Sequence, residues 1–210
     1  MISILLGDDH EVVRRGLGQI LAEAFPELSL GEAEDGPEVL AAVERGAWDV
    51  VLLDINMPGR NGLDVLQDLK RLHPRLPVIV LSAFPEKDYA LRAFKLGAAG
   101  YLSKQSASSE LIAAVKKALA GSRYITPSLA EALAANVAGE APALPHEMLS
   151  NRELEVLRQV ALGKTLKEIA SELALSEKTV GTYRMRISRK LNLGTNVELT
   201  RYALRHHLVQ

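Results

Sequence analysis

Between Asp49 and Asp54 the chain reads Val-Val-Leu-Leu, an apolar run with no alternation, bracketed by acids. A strand of that kind has no polar face to turn to water, so it belongs inside a parallel sheet covered on both sides. Ile2–Gly7 and Pro77–Ser82 read the same way, Gly100–Ser103 is a shorter example, and Leu28–Gly31 is a weak one. Segments of helical period separate them. Val13, Leu17, Ile20 and Leu21 share a face before Pro26, and Val39, Leu40 and Val43 follow Pro37. Leu63, Val65, Leu66, Leu69 and Leu72 stop at Pro74; Glu86–Leu96 stops at Gly97, and Glu110–Ala120 at Gly121. Strands alternating with helices predict an α/β fold, a doubly wound five-stranded parallel sheet over residues 1–122.

The remaining residues differ in charge. Residues 1–140 hold 14 Lys/Arg against 19 Asp/Glu, and residues 141–210 hold 11 against 7, so the formal total of −1 hides two halves of opposite sign. Asn136–His146 is small and proline-punctuated, and a linker is expected over 123–146, with a second domain over 147–210. Opposite charge across a linker points to different partners for the two halves. The chain has no cysteine, which excludes disulfides, thiolate zinc sites and cysteine nucleophiles and fits a reducing cytoplasm. The N-terminus meets acid too soon for a signal peptide, and no apolar run reaches the ~18 residues needed to span a bilayer. A cytoplasmic protein with no membrane partner is expected.

In doubly wound sheets, ligands bind beyond the carboxyl ends of the strands. Strand one ends at Asp8-Asp9, strand three at Asp54 with Asn56 just beyond, strand four at Ser82 and strand five at Lys104. Three carboxylates in one pocket repel unless a cation joins them. With oxygen ligands and no cysteine, that cation is hard: Mg²⁺, or Mn²⁺. His10 begins a helix and is not read as a ligand. A carboxylate beside such an ion, with Lys104 and Ser82 placed to meet phosphoryl oxygens, is the arrangement for an aspartyl phosphate on Asp54. Taken singly, each residue has a bland reading: Asp8 or Asp9 as a helix cap, Lys104 as a solvated charge, Tyr101 as a half-buried strand aromatic. Their order at four strand ends favours the chemical reading.

These residues, with Leu-Leu-Asp54-Ile-Asn-Met-Pro-Gly, Ser82-Ala83, Gly97-Ala98 and Tyr101 before Lys104, make residues 3–120 resemble the flavodoxin-like receiver domain of two-component response regulators. The resemblance implies phosphorylation of Asp54 by a sensor histidine kinase. It also implies Mg²⁺ held by Asp9, Asp54 and the carbonyl of Asn56, with Asp8 acting through water, and a switch pair, Ser82 and Tyr101. Many receivers have proline after the lysine, where this chain has Gln105.

In the basic half, Ser150 and Glu153 stand at capping-box spacing before Leu154, Val156, Leu157 and Val160. Leu166–Leu173, a turn at Ala174–Ser176 and a helix from about Glu177 to Leu191 read as a helix-turn-helix in a small all-α domain. On the last of these, Val180, Tyr183, Ile187 and Leu191 share a core face, while Lys178, Thr182, Met185, Arg186 and Arg189 lie opposite. Lys178, Arg184, Arg186, Arg189 and Lys190 give it five basic residues and no acid from Lys178 onward, which suits double-stranded DNA. Residues 147–209 resemble the LuxR-type domain of NarL/FixJ response regulators, through Leu-Ser-Asn-Arg-Glu-Leu-Glu-Val-Leu, Gly-Lys-Thr-Leu-Lys-Glu-Ile-Ala, Leu-Ser-Glu-Lys-Thr-Val and Lys-Leu-Asn-Leu. Val-Glu-Leu-Thr-Arg-Tyr-Ala-Leu-Arg-His looks closer to the GacA/EvgA-like branch. DNA contact is then expected from Lys178, Thr179, Gly181, Thr182, Tyr183, Met185, Arg186 and Arg189. Gly181 and Met185 depart from the lysines of many members, and Tyr183 from a histidine. The family's last helix, here Val197–Leu208, pairs two copies, with Leu199, Tyr202 and Ala203 as dimer candidates or as intradomain core.

The function expected is a phosphorylation-switched, dimeric DNA-binding transcription regulator. It would not be an enzyme beyond slow loss of its own phosphoryl group. Alternatives are DNA binding independent of phosphate, regulation through protein contact, and a Mg²⁺-dependent phosphotransferase. Asn56, standing where a second acid would be needed, argues against the last.

Overall fold

Every residue of Val50–Asp54 (β3) is fully buried, at the centre of a five-stranded sheet. The structure is a computed structural model and describes residues 1–83, 86–137, 144–206 and 208–209. It divides into two units, Met1–Glu140 and Ala141–Gln210.

In the first unit, β1 (Ile2–Gly7), α1 (Glu11–Ala24), β2 (Leu28–Ala33), α2 (Gly36–Arg45), β3, α3 (Gly62–Leu72), β4 (Val78–Ser82), α4 (Glu86–Lys95), β5 (Gly100–Ser103) and α5 (Ser108–Leu119) follow in order. The sheet runs β2-β1-β3-β4-β5, and every pair is parallel. The expected fold is therefore the observed one, and β2 extends two residues beyond the weak apolar run that marks it. Ile4, Leu6, Val50, Leu52, Ile79 and Leu81 meet Leu21 and Phe25 from α1 and Leu111, Ala114 and Val115 from α5. The alternate residues Leu5, Val51, Leu53 and Val80 point the other way and are just as buried. The chain passes from β1 to β2 on one side and returns to β3 on the other, which opens a crevice at the carboxyl ends of β1 and β3.

The expected linker over 123–146 is corrected. Tyr124 donates its backbone N–H to Ala99 O (2.7 Å) and bridges to Gly100, and a further helix, α6 (Pro127–Val137), packs on α4 with Leu129 buried. The sequence there is mostly small, with Glu131 its one charged residue, so a helix that packs on α4 with Leu129 buried reads as linker. Residues 138–143 of the expected linker lie outside the described residues.

The second unit begins, among the described residues, with a 3-10 turn at Pro145–Met148. It continues through α7 (Asn151–Ala161), α8 (Leu166–Glu172), α9 (Glu177–Leu191) and α10 (Asn196–Arg205). Side-chain caps open all four helices: Ser150, Thr165, Ser176 and Thr195 each accept a backbone N–H, and Glu153, Glu168 and Glu198 complete capping boxes. Such caps satisfy the N–H groups that a helix start leaves unpaired, each worth roughly 1 kcal/mol. Among the described residues no helix is long and apolar enough to cross a membrane.

Between α8 and α9, Ala174 sits at φ +51°, in the left-handed region. That conformation costs an L-residue roughly 1–2 kcal/mol, against roughly 0.5–1 kcal/mol of extra chain entropy for glycine. Ala174→Gly is expected to stabilise the second unit by up to about 1 kcal/mol, read as a higher urea midpoint at unchanged slope. A lower midpoint would show the turn is not strained.

Candidate functional site

The carboxyl ends of β1, β3, β4 and β5 bring together Asp8 (1% exposed), Asp54 and Ser82 (both 0%) and Lys104. Lys104 reaches back from the end of β5, its Nζ 2.7 Å from Asp8 Oδ2 and 2.9 Å from Asp54 Oδ2. Burial alone would lower the lysine's pKa, but Asp54 and Asp8 outweigh it and hold the ammonium above its ordinary value. Asp54 is pushed up, first by burial and also by Asp8, with Lys104 pulling the other way. Asp54 Oδ1 and Asn56 Oδ1 are both buried without a hydrogen-bond partner of normal geometry, while the backbone of Asn56 also pulls the Asp54 carboxyl down. One ammonium thus serves two carboxylates, and a buried oxygen is left over for a further cation or electrophile. Asp9, His10, Asp8 and Asp54 each offer a ligand atom, and these atoms lie within 4.8 Å of one another.

Tyr101 is buried (2% exposed) on β5, beside Val80 in register, and not the half-buried aromatic of the bland reading. Ser82 pairs in register with Ser103, which places its hydroxyl on the edge that carries Asp54 and Lys104. All peptide bonds among the described residues are trans, Lys104–Gln105 included.

Sequence reasoning sets one residue of this site aside, His10, and passes over two others, Arg14 and Gly62. His10 lies over the acids, with Nδ1 2.7 Å from Asp9 Oδ1. Arg14 is buried (4% exposed); it donates to Asp8 O (2.8 Å) and is neutralised by Glu32 and Glu34, so it fixes the backbone that carries the acid pair. Its signal was an arginine inside the apolar stripe of α1, at positions 14, 17 and 21. Gly62 opens α3 so close to β3 that a Cβ would stand 2.0 Å from Asp54 O. Only glycine lets its N–H reach Ile55 O (2.8 Å) there.

In the second unit, α9 divides as its periodicity predicts. Val180, Ile187 and Leu191 are buried and Tyr183 is half-buried. Lys178, Met185 (53% exposed), Arg186 and Arg189 face solvent, and Thr179, Gly181 and Thr182 are half-buried. Nothing lies within 4 Å of a Cβ built on Gly181, so this position opens outward. The five basic residues are not equivalent. Arg184 donates to Asn196 Oδ1 (2.6 Å), and Lys190 donates to Glu153 Oε2 (2.6 Å) and Met148 O (3.1 Å). Burial would raise Glu153, but Lys190 and the Ser150 cap hold it below its ordinary value. Lys178, Arg186 and Arg189 remain as outward charges. The hydroxyl of Thr179 is 2.8 Å from that of Ser176, within the cap, and Thr182 Oγ1 donates to Lys178 O.

Of the two readings of Leu199, Tyr202 and Ala203, the structure shows contacts within their own unit. Leu199 and Ala203 are fully buried in their own unit. Tyr202 OH accepts the backbone N–H of His146 (3.2 Å), lies 3.0 Å from His146 Nδ1, and its ring packs against His206 at 4.4 Å. The apolar residues that α10 exposes are Val197 (67%) and Leu204 (49%), on a groove of about 400 Å³ that includes Val160 and Thr200.

Comparison with known proteins agrees with both halves. Residues 4–116 match the response regulator receiver domain, and residues 147–203 match the bacterial regulatory proteins of the luxR family. The response regulator UvrY of Escherichia coli K12 is 38% identical over 209 residues, covering 99% of this chain and 96% of UvrY. The response regulator GacA of Pseudomonas aeruginosa is 36% identical over 210 residues, covering 100% and 98%. Among solved structures, RcsB of Salmonella enterica serovar Typhimurium, bound to the rprA promoter with the phosphomimetic BeF₃⁻, is similar with a TM-score of 0.64 and 26% identity, covering 96% of this chain and 97% of that one.

Stability at this site has a definite pH sign. With its pKa raised, Asp54 contributes stability below the ordinary carboxylate pKa and loses it as pH rises through the raised value. At neutral pH its ionised form therefore opposes folding. Asp54→Asn is expected to stabilise the first unit at neutral pH in chelator, by on the order of 1 kcal/mol. The gain should shrink as the pH falls into the acid range, measured by calorimetry across pH. A neutral-pH loss would mean that the Lys104 pair outweighs burial.

Proposed function

The chain belongs to the NarL/FixJ family of two-component response regulators, DNA-binding transcription regulators built from a receiver and a LuxR-type domain, and on that premise we propose that phosphorylation of Asp54 by a sensor histidine kinase sets its affinity for DNA. The observation that carries this reading is the shared ammonium: Lys104 between two buried carboxylates, with Asp54 Oδ1 unpartnered at the sheet's crevice. An Asp54 oxygen attacks the phosphorus of the kinase's phosphohistidine. The O–P bond forms as the P–N bond breaks, and the electron pair returns to the imidazole nitrogen. Lys104 meets one equatorial oxygen and the Ser82 hydroxyl donates to another, so both stabilise charge where it develops.

The acids fit a divalent cation, by their spacing and by the orphaned Asp54 oxygen. Asp9, Asp54 and the carbonyl of Asn56 would hold Mg²⁺ or Mn²⁺, with Asp8 acting through water. When bound, the ion supplies charge neutralisation at the phosphoryl oxygens. Ser82 and the buried Tyr101 form the switch pair that biases the receiver between two states, which needs only a few kcal/mol. The chain has no turnover role beyond slow loss of its own phosphoryl group. Its place is the cytoplasm, which suits a chain with no cysteine.

The modified receiver favours a homodimer, and two copies of α9 then enter successive half-sites of a duplex. RcsB, solved on promoter DNA with a phosphoryl mimic, is the relative that supports this order of events. Lys178, Arg186 and Arg189 meet phosphates, and Gly181, Thr182 and Met185 face base edges. Pairing of the DNA-binding halves runs through Val197 and Leu204, the apolar residues that α10 leaves exposed.

Selection from random duplexes, with and without beryllofluoride, tests the whole scheme. A two-fold motif enriched only with the mimic is expected. A motif in both conditions would discard the switch, and none in either would discard DNA binding. Within the complex, each phosphate contact contributes roughly −0.9 to the slope of log K against log salt. Arg189→Ala is expected to shrink the slope of a two-fold complex by about 1.8, whereas Lys190→Ala should lower stability and leave the slope unchanged. Leu204→Glu is expected to weaken two-site binding by on the order of tenfold at unchanged thermal stability, and Leu199→Glu to unfold the domain.

A further inference from the structure

His10 stands at the start of α1, yet its side chain makes no cap hydrogen bond, unlike Asp35 and Asn61 at the starts of α2 and α3. Its imidazole turns instead toward the acids: Nδ1 is 2.7 Å from Asp9 Oδ1 and 3.4 Å from Asp8 Oδ1. The backbone holds it there, because the N–H of His10 donates to Asp8 Oδ1 at 2.9 Å. The ring is 62% exposed, so it is reachable from solvent while its nitrogen faces the acids. Opposite it, Asp54 is fully buried with Oδ1 unpartnered.

The spacing approaches that of one ion's ligand shell. First-row metals bind nitrogen and oxygen at about 2.0–2.2 Å, so neighbouring ligand atoms sit about 3 Å apart and opposite ones a little over 4 Å. Atoms of Asp9, His10 and Asp54, with Asp8 as the outer partner that acts through water, lie within 4.8 Å of one another, so a small closing of the side chains brings the inner ones onto one ion. We infer that His10 is an imidazole ligand of the divalent ion in this pocket, making a mixed nitrogen–oxygen site that favours Mn²⁺ and later first-row ions over Mg²⁺, compared with the same pocket lacking the imidazole. The chemistry is that of ligand softness. Magnesium keeps oxygen and water around it, whereas imidazole suits the transition metals. The inference rests on the metal reading of the acid pocket and adds its selectivity.

The test uses the full chain with Mn²⁺ as probe. Calorimetric titration with Mn²⁺ and with Mg²⁺ is compared for the wild type, His10→Asn and Asp9→Asn, and electron spin-echo modulation of the Mn²⁺-loaded protein reports directly bound ¹⁴N. The expected result is a ¹⁴N modulation in the wild type that disappears in His10→Asn. Mn²⁺ affinity should fall at least about tenfold in that variant, since loss even of an outer partner costs that much, while Mg²⁺ affinity holds. Mn²⁺ bound without ¹⁴N modulation, or with modulation that survives His10→Asn, would overturn the role of His10 and leave the acid pocket standing as a metal site. Mn²⁺ binding that is absent, or indifferent to Asp9→Asn, would sink the metal site itself and His10 with it.

Discussion

One ammonium between two buried carboxylates organises the first half of this chain. Lys104 arrives from β5, Asp8 from β1 and Asp54 from β3, so the three meet only if the strands take the order β2-β1-β3-β4-β5. The pair of acids could not be buried without the lysine, and the lysine could not be buried without them. The balance is incomplete. Two carboxylates and one ammonium leave a negative site with an unsatisfied oxygen, so the pocket is built to be completed by something positive or electrophilic. Arg14 and Gly62 are the supports. The first grips the backbone of Asp8, and the second lets α3 rest directly on the backbone of Asp54.

The second half is organised by polar caps and not by one pair. Its helices are short, and a short helix gains little from propensity, so Ser150, Thr165, Ser176 and Thr195 matter in proportion. Glu153 serves twice. It closes the Ser150 box and also receives Lys190 from α9, so the start of α7 and the last turn of the reading helix share one carboxylate. The cations of α9 therefore divide into structural ones, Arg184 and Lys190, and outward ones, Lys178, Arg186 and Arg189.

Much of this was legible because the signals were local and redundant. β3 declared itself by four apolar residues between acids, and α7 by serine and glutamate at capping distance. That Asp8, Asp54 and Lys104 meet followed from where strands end. What escaped depended on who covers what, which periodicity does not say. Leu199 and Ala203 repeat at helical spacing whether their cover is their own domain or a second copy, and here it is their own. Residues 127–137 are mostly small, with a single charge at Glu131, like a linker, and their packing on α4 is a tertiary contact that local pattern does not announce. His10 was set aside for its place at a helix start. The direction of an imidazole is a matter of backbone geometry, fixed here by a hydrogen bond from its own N–H to Asp8.

The 3-10 turn at Pro145–Met148 acts as a mechanical coupling. His146 is bonded to Tyr202 of α10 through both backbone and ring, and Met148 O accepts from Lys190 of α9. The turn is therefore bonded directly both to the helix that exposes Val197 and Leu204 and to the helix that carries the outward cations. Two helices of different duty are thus anchored to one short turn, α10 at its histidine and α9 at its methionine carbonyl.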